Sequence, residues 1–345
     1  MKHLLVTGGA GFIGSNFVET ALRKGYRLTV LDALTYAGHR ANLKDFLKPG
    51  VCDFILGRIE DPQLLEKLFS EQSFDGVVHF AAESHVDNSI TGPRKFLVTN
   101  IMGTFELLEV ARRHWAQLTG EKQKNFRFLH ISTDEVFGSL GETGKFKEET
   151  PYAPNSPYSS SKAGSDHLVR AWFHTYGLPT VMTNCSNNYG PRQFPEKLIP
   201  RMITNALKGK PLPVYGKGAN IRDWIHVQDH CEGVLLAFEK GTPGESYCFG
   251  GNSERNNLDV VKKLCEILNQ LSPRKDGRSH SEAIQFVEDR LGHDFRYAID
   301  DEKAQKELGF KRKYSNFEQG LDQTVKWYLE NSHWLQEVTA EKKGL

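Results

Sequence analysis

Apolar positions in the first half of the chain follow two alternating periods. Residues 3–7 (HLLVT) form a short apolar run that stops at glycines, and residues 13–24 continue with apolar positions at helical spacing. The pattern repeats as strands at 27–31, weakly at 54–56, at 76–80, 126–132 and 180–184. Helices fall between them at 63–70, 99–116 and 157–175. Leu64, Leu65 and Leu68 share one face of the second helix, and the long third carries Ile101, Phe105, Leu108 and Trp115. Strand and helix in alternation predict an α/β fold, a Rossmann-type doubly wound parallel sheet with helices on both faces.

Beyond residue 186 the periods shorten. Pro191, Pro195, Pro200, Pro211 and Pro213 cut the chain, leaving helical stretches at 197–207, 229–239 and 259–271 and a polar surface loop at 272–283. The expected organisation is a first domain over 1–186 and a smaller mixed α/β lobe over 187–345. Segments near 221–250 are expected to return to the first domain.

Composition narrows the functions that such a fold could carry. The 345 residues hold 44 basic and 43 acidic side chains, a net charge of +1, spread without a basic stripe, which argues against a nucleic-acid binder. The five cysteines are far apart with no CxxC pair, so no zinc ribbon or other metal site is expected, and free thiols fit a reducing compartment. No apolar run approaches the length of a membrane span. The chain enters a strand at once, leaving no room for a signal peptide. The expected location is the cytoplasm, with no membrane partner.

The glycines after the first strand carry the first chemistry. Gly9, Gly11 and Gly14 fit G-x-G-x-x-G, and Gly8, Gly11 and Gly14 fit G-x-x-G-x-x-G. A tight strand-to-helix turn needs glycine backbone, and a side chain there would block a pyrophosphate drawn to the helix N-terminus. An ordinary turn could carry the same triplet, but here a strand precedes it, a helix follows, and Asp32 ends the second strand. A carboxylate at that place accepts hydrogen bonds from ribose hydroxyls and repels a 2′-phosphate, which favours NAD over NADP.

Tyr158 and Lys162 stand four residues apart at the start of a helix and so share a face. An ammonium beside a phenol favours the phenolate, a base for a sugar hydroxyl during hydride transfer. Asp134 and Glu135 follow the strand 126–132, at the end where open parallel sheets bind ligands. Two adjacent carboxylates there are either a polar turn or an acid and base pair, the latter if their surroundings separate their pKa values.

Seven stretches in order give the sequence a more specific likeness: 79–87 (HFAAESHVD), 132–138 (STDEVFG), 158–162 (YSSSK), 183–191 (TNCSNNYGP), 194–200 (FPEKLIP), 215–224 (YGKGANIRDW) and 289–294 (DRLGHD). From residue 2 to about 335 the chain resembles the extended short-chain dehydrogenases/reductases, and among them the nucleoside-diphosphate-sugar 4,6-dehydratases. The resemblance implies a hydro-lyase. Tyr158, assisted by Lys162, takes the C4 hydroxyl proton of the sugar while hydride leaves for NAD. Glu135 removes the C5 proton, Asp134 protonates the departing C6 hydroxyl, and hydride returns to C6. Thr133 hydrogen-bonds near the C4 oxygen.

The same resemblance places NAD against Gly8, Gly11, Phe12, Ile13, Gly14, Asp32, Thr35 and Ile59 at the adenosine end. Ala81, Ala82, Thr99, Tyr158, Lys162 and Asn188 would hold the nicotinamide end. It places the sugar nucleotide, dTDP-glucose, against Ser84, His85, Thr133, Asn187, Lys197, Leu198, Tyr215, Arg222, Asn257, Arg290 and His293. It also implies a homodimer through the helices at 99–116 and 157–175. Two positions depart from the family pattern. Arg58 stands where an acid commonly meets the adenine amino group; its planar guanidinium can stack on the ring instead. Leu291 stands in place of a proline. The alternatives are a dehydratase for UDP- or CDP-glucose, a C4 epimerase or C6 decarboxylase of the same fold, and a non-catalytic NAD-binding protein. A C4 epimerase needs only the hydride step and has no use for Asp134 and Glu135.

Overall fold

A computed structural model describes residues 1–289 and 293–340. Twelve strands follow in chain order: β1 (His3–Thr7), β2 (Arg27–Asp32), β3 (Cys52–Leu56), β4 (Gly76–His79), β5 (Arg127–Ile131), β6 (Thr180–Cys185), β7 (Asn187–Tyr189), β8 (Leu212–Tyr215), β9 (Ile221–His226), β10 (Ser246–Phe249), β11 (Glu254–Asn256) and β12 (Ile284–Val287). Seven form one all-parallel sheet in the order β3-β2-β1-β4-β5-β6-β10. The order reverses between β1 and β4, so the crevice for a ligand opens at the carboxyl ends of those two strands.

Both faces of this sheet are covered. Val6, Val30, Val78 and Leu129 pack with Phe17, Val18, Val234 and Phe238 from the helices Phe12–Arg23 and Val227–Lys240 on one side. On the other, Leu5, Leu31, Val77 and Phe128 meet Leu65, Leu68, Leu107 and Leu108 from Pro62–Glu71 and Thr104–Gln117. The inner strands β1 and β4 are buried at every position, which fits their unbroken apolar runs, while the edge strand β3 is only partly covered. A separate core of Ile199, Ile203, Leu212, Val261, Leu264, Leu321 and Val325 fills the second lobe.

Local sequence explains how the site-bearing helix starts and stops. Ser156 accepts from the Ser159 N–H at 3.0 Å, the Ser159 hydroxyl accepts from the Ser156 N–H at 3.0 Å, and Pro157 opens the helix Pro157–Tyr176. Gly177, at φ 74°, ends it.

Three expectations change in detail. The helix expected at 99–116 begins as a wider π turn, Leu97–Gly103, before Thr104–Gln117. Asn100 lies in that turn and is bonded sideways to the Glu83 backbone (2.8 and 3.0 Å) and to the Ser161 hydroxyl (2.8 Å). Residues 272–283 are not all loop: His280–Ala283 is a 3₁₀ turn whose His280 is buried, its ring 2.9 Å from the Ser272 carbonyl. The chain beyond 271 also supplies β12 and the helices Phe317–Glu330 and Ser332–Ala340, for which the sequence reading names no element.

Candidate active site

The first wall of the crevice is main chain. Gly8 has φ +70°, and a Cβ on it would lie 2.5 Å from the Ala81 nitrogen. A Cβ on Gly14 would lie 2.2 Å from the Gly8 carbonyl oxygen. Strand, turn and helix can close this tightly only with glycine. Gly11 is different: a Cβ there meets nothing nearer than the Gly8 carbonyl at 3.3 Å, and Gly11 lines the cleft, so a side chain would fill space meant for something else. Asp32 closes the wall at the end of β2. Its two oxygens accept the backbone N–H of Ala10 and Leu34, both at 2.8 Å, which orients the carboxylate and leaves each oxygen a second lone pair. This open glycine face with an oriented carboxylate fits a dinucleotide.

The residues expected at NAD converge. Gly8, Gly11, Phe12, Ile13, Gly14, Asp32, Thr35, Ile59, Ala81, Ala82, Thr99, Tyr158, Lys162 and Asn188 all line one cleft, together with Arg58. The Thr99 hydroxyl donates to Glu60 at 2.8 Å, and Glu60 in turn lies 3.8 Å from the Arg58 guanidinium.

Of the substrate residues, Ser84 and Thr133 line that same cleft. His85, Leu198, Tyr215, Arg222, Asn257 and His293 line a second one, and Asn187 and Lys197 line both. Arg290 and Leu291 lie outside the described residues. Glu135 also faces both clefts, which puts it at the seam between them.

Arg222 is held before any ligand arrives. It donates to the carbonyls of Ile221 (2.8 Å), Asp294 (3.0 Å) and Phe295 (3.3 Å), and its guanidinium lies 4.3 Å from the centre of the Tyr297 ring. Lys197 donates to the Ser84 carbonyl at 3.0 Å. The Asn187 side-chain oxygen is buried without a hydrogen-bond partner among the described residues, as is the indole N–H of Trp224. Unpaired polar atoms of this kind are costly unless a ligand satisfies them.

Asp134 and Glu135 sit on a 3₁₀ turn, Asp134–Phe137, directly after β5, and the Thr133 hydroxyl caps it by accepting the Glu135 N–H at 3.3 Å. Asp134 is 2% exposed, and one of its oxygens has no partner among the described residues. Burial, and then the charge of Glu135, pushes its carboxyl well above the usual carboxylate range. Glu135 is only partly buried. The two neighbours thus stand in unlike surroundings.

Tyr158 and Lys162 differ from expectation in sign. Tyr158 is held well above the ordinary phenol value, first by burial and then by Glu135, with a hydrogen bond to Thr133 acting the other way. Lys162 is buried and donates to the Ile131 carbonyl at 2.8 Å, and burial lowers its pKa. Desolvation of the phenol outweighs the help expected from the ammonium.

The sequence reading passes over residues behind this pair. Asp166 and Ser165 lie one and two helical turns beyond Tyr158 and Lys162, at spacings of three, four, seven and eight. They are buried, as is Ser161, and they reach His130 of β5 and Ser132 just beyond it. That polar stripe on a buried helix face is the signal that could have found them. Gln193, Glu196 and Tyr297, which also line the clefts, carry no comparable pattern.

A dehydratase-type nucleotide-sugar enzyme is the class that this fold and cleft define. The model for the family described as GDP-mannose 4,6 dehydratase matches residues 5–324, and the chain belongs to that family. Its relatives point to one member. The chain is 56% identical over 338 residues to a dTDP-glucose 4,6-dehydratase of Xanthomonas campestris pv. campestris, across 98% of this chain and 96% of the other. It is similar to the crystal structure of the Bacillus anthracis dTDP-glucose 4,6-dehydratase in complex with NAD. The TM-score is 0.85 at 45% identity, over 98% of this chain and 100% of that one. The Streptomyces venezuelae dTDP-glucose 4,6-dehydratase, solved with NAD bound, gives a TM-score of 0.88 at 44% identity over 97% and 99%.

Proposed function

We propose that the chain converts dTDP-glucose to dTDP-4-keto-6-deoxyglucose, using bound NAD. One observation carries the reading beyond likeness: a buried Asp134, its carboxyl pushed above the usual carboxylate range, beside a more exposed Glu135, in the cleft that also holds Tyr158 and the glycine loop. An acid and a base kept apart by their surroundings are what elimination of water needs.

NAD, when bound, supplies the acceptor for a hydride from C4, the donor that returns it at C6, and a positive charge that favours the phenolate. The residues expected to hold it are those of the glycine-walled cleft. Tyr158 takes the C4 hydroxyl proton, and Lys162 assists as a cation on the same helical face. Thr133 steadies the C4 oxygen. Glu135 takes the C5 proton that the C4 ketone has acidified. Asp134 gives its proton to the C6 hydroxyl, which leaves as water. A proton then returns to C5, and because the product keeps the C4 ketone, the proton left on Tyr158 balances the one that Asp134 gave to water. The diphosphate falls to Arg222 and Lys197, with Arg290 as a further candidate; guanidinium suits it because it can donate in pairs.

The division of labour we infer gives NAD to 1–186 and the sugar nucleotide to 187–345. β10 and the helix Val227–Lys240, packed on the main sheet, return to the first part. A homodimer is supported by the exposed apolar side chains Leu97, Val98 and Met102 at the start of the long helix and Tyr176 at the end of its neighbour. A cytoplasmic site is supported by five buried, free cysteines. Among the described residues no helix is long and apolar enough to cross a membrane.

The test is turnover of dTDP-glucose in heavy water. The expected product is the 4-keto-6-deoxy sugar nucleotide with one solvent deuterium at C5. Formation of dTDP-galactose would overturn the reading in favour of an epimerase.

A further inference from the structure

Lys162 is an ammonium with almost no access to water, and a buried charge needs a counter-charge. The groups around it come from three strands and its own helix. His130 on β5 places its Nε2 3.4 Å from the Lys162 Nζ. His79 on β4 lies behind it, ring centres 5.2 Å apart. Cys185 on β6 lines the same cleft, and Tyr158 and Asp166 share the Lys162 helix. Both imidazoles are driven toward the neutral form by burial, His130 to about 4, and burial pushes the Cys185 thiol up. Glu135 stands across the cleft and acts on Tyr158.

Asp166 is the exception in this set. It is 1% exposed, yet its pKa is lowered: burial opposes ionisation, but hydrogen bonds and nearby charge prevail. One oxygen lies 3.0 Å from the His130 Nε2; the other accepts the Ser132 hydroxyl at 2.6 Å and the Tyr152 hydroxyl at 2.9 Å. With Asp166 ionised, the His130 Nε2–H donates to it. The same imidazole edge therefore separates a buried cation from a buried anion. The group is closed off from solvent, so the charge on Lys162 has to be balanced from within.

We propose that Asp166, acting across the His130 ring, is the positioning residue that keeps Lys162 cationic and in place beside Tyr158. The proposal rests on the dehydratase reading for its kinetic consequence only; the charge on Lys162 can be followed without turnover.

The test is Asp166→Asn in the NAD-loaded enzyme, which keeps the shape and the acceptor for Ser132 and Tyr152 and removes the charge. Two quantities are read. The first is the titration of Lys162, followed by NMR with labelled lysine and assigned by its loss in Lys162→Met. Its midpoint should fall by one pH unit or more. The second is the pH profile of kcat on dTDP-glucose. Its acid limb should move up by about one unit and kcat at neutral pH should fall about tenfold or more, with KM within twofold. Tyr152→Phe removes a hydrogen bond and keeps the charge, and should leave both readings in place. An unmoved Lys162 midpoint overturns the proposal, as does a kcat that falls equally at every pH. If wild type makes no keto sugar, the dehydratase reading fails, and the lysine midpoint still decides the role of Asp166. Should Asp166→Asn not fold, Asp166→Ser removes the same charge with a smaller side chain, and the same downward shift is expected; its absence is equally fatal.

Discussion

The two ends of the crevice are built from different material. Around Gly8, Gly11 and Gly14 the surface is main chain, shaped by the absence of side chains and oriented by one carboxylate, Asp32. Around Tyr215, Arg222 and His293 the surface is side chain. Bonds hold these groups in place, such as Arg222 to the Asp294 carbonyl (3.0 Å) and His293 to Asp289 (2.6 Å). The first end should fail when atoms are added and the second when chemistry is changed. Glu135 stands where they meet.

The largest effect is expected at that seam. Glu135→Gln removes the base for C5 and spares both walls, so kcat for keto-sugar formation should fall by about 10²–10⁴. Oxidation at C4 should continue slowly, and reduced cofactor should accumulate in its near-ultraviolet absorbance. A variant that dehydrates at the normal rate would move the base elsewhere and leave the two-walled description without its centre.

At the main-chain end, Gly14→Ala puts a Cβ 2.2 Å from a carbonyl oxygen that cannot rotate away. The expected cost is about 2–3 kcal/mol of stability in urea unfolding, with NAD lost on gel filtration. Gly25→Ala is the contrast. Gly25 has φ +84° but nothing within 4 Å of a new Cβ, so about 1 kcal/mol of strain is expected and the cofactor stays bound. Equal losses from both changes would mean that the turn around Gly14 gives way to a new Cβ and that close approach does not fix its shape.

The same contrast explains what was legible in the sequence. Main-chain walls leave glycines at fixed spacings, so Gly8, Gly11, Gly14 and the closing Asp32 could be read from residue types and strand ends. Adjacent acids after a strand could be noticed too, but not their unlike burial, which depends on how the turn Asp134–Phe137 packs with Phe146, Cys248 and Tyr297. The sign of the effect on Tyr158 was out of reach for the same reason: desolvation is a property of packing. Resemblance, and no periodicity, supplied Tyr215, Arg222, Asn257 and His293, because side-chain walls draw on residues far apart in the sequence. The π turn at Leu97–Gly103 answers to the sideways bonds of one residue, Asn100, which no helical pattern announces.

At the side-chain end, Arg222→Lys keeps the charge and loses the planar fork. Lysine cannot donate to three carbonyls spread over Ile221, Asp294 and Phe295 while lying flat over Tyr297. KM for dTDP-glucose should rise about tenfold with kcat within threefold and NAD still bound. A fall in kcat with KM unchanged would instead tie Arg222 to the chemical step, and the separation between a binding wall and a reacting seam would blur.

The smallest effect concerns the strand that joins the ends. His226 closes β9, its Nδ1 accepts the Gln228 N–H at 3.2 Å, and its ring stacks on Tyr314 with centres 3.8 Å apart. Burial pushes its pKa down from 6.5 to about 3. The unfolded chain therefore takes up a proton below pH 6.5 that the folded chain refuses until about pH 3. The contribution to stability is whole above pH 6.5 and is lost as pH falls toward 3, at no more than about 1.4 kcal/mol per pH unit. His226→Gln should leave stability at pH 7 within about 1–2 kcal/mol of wild type and flatten its decline on acidification, in urea unfolding repeated across that range. Equal slopes for the two proteins would mean that His226 is protonated in the folded chain. The strand between the two walls would then carry a charge in the middle of its apolar packing, which the stack on Tyr314 and the lack, among the described residues, of any carboxylate bonded to its ring argue against.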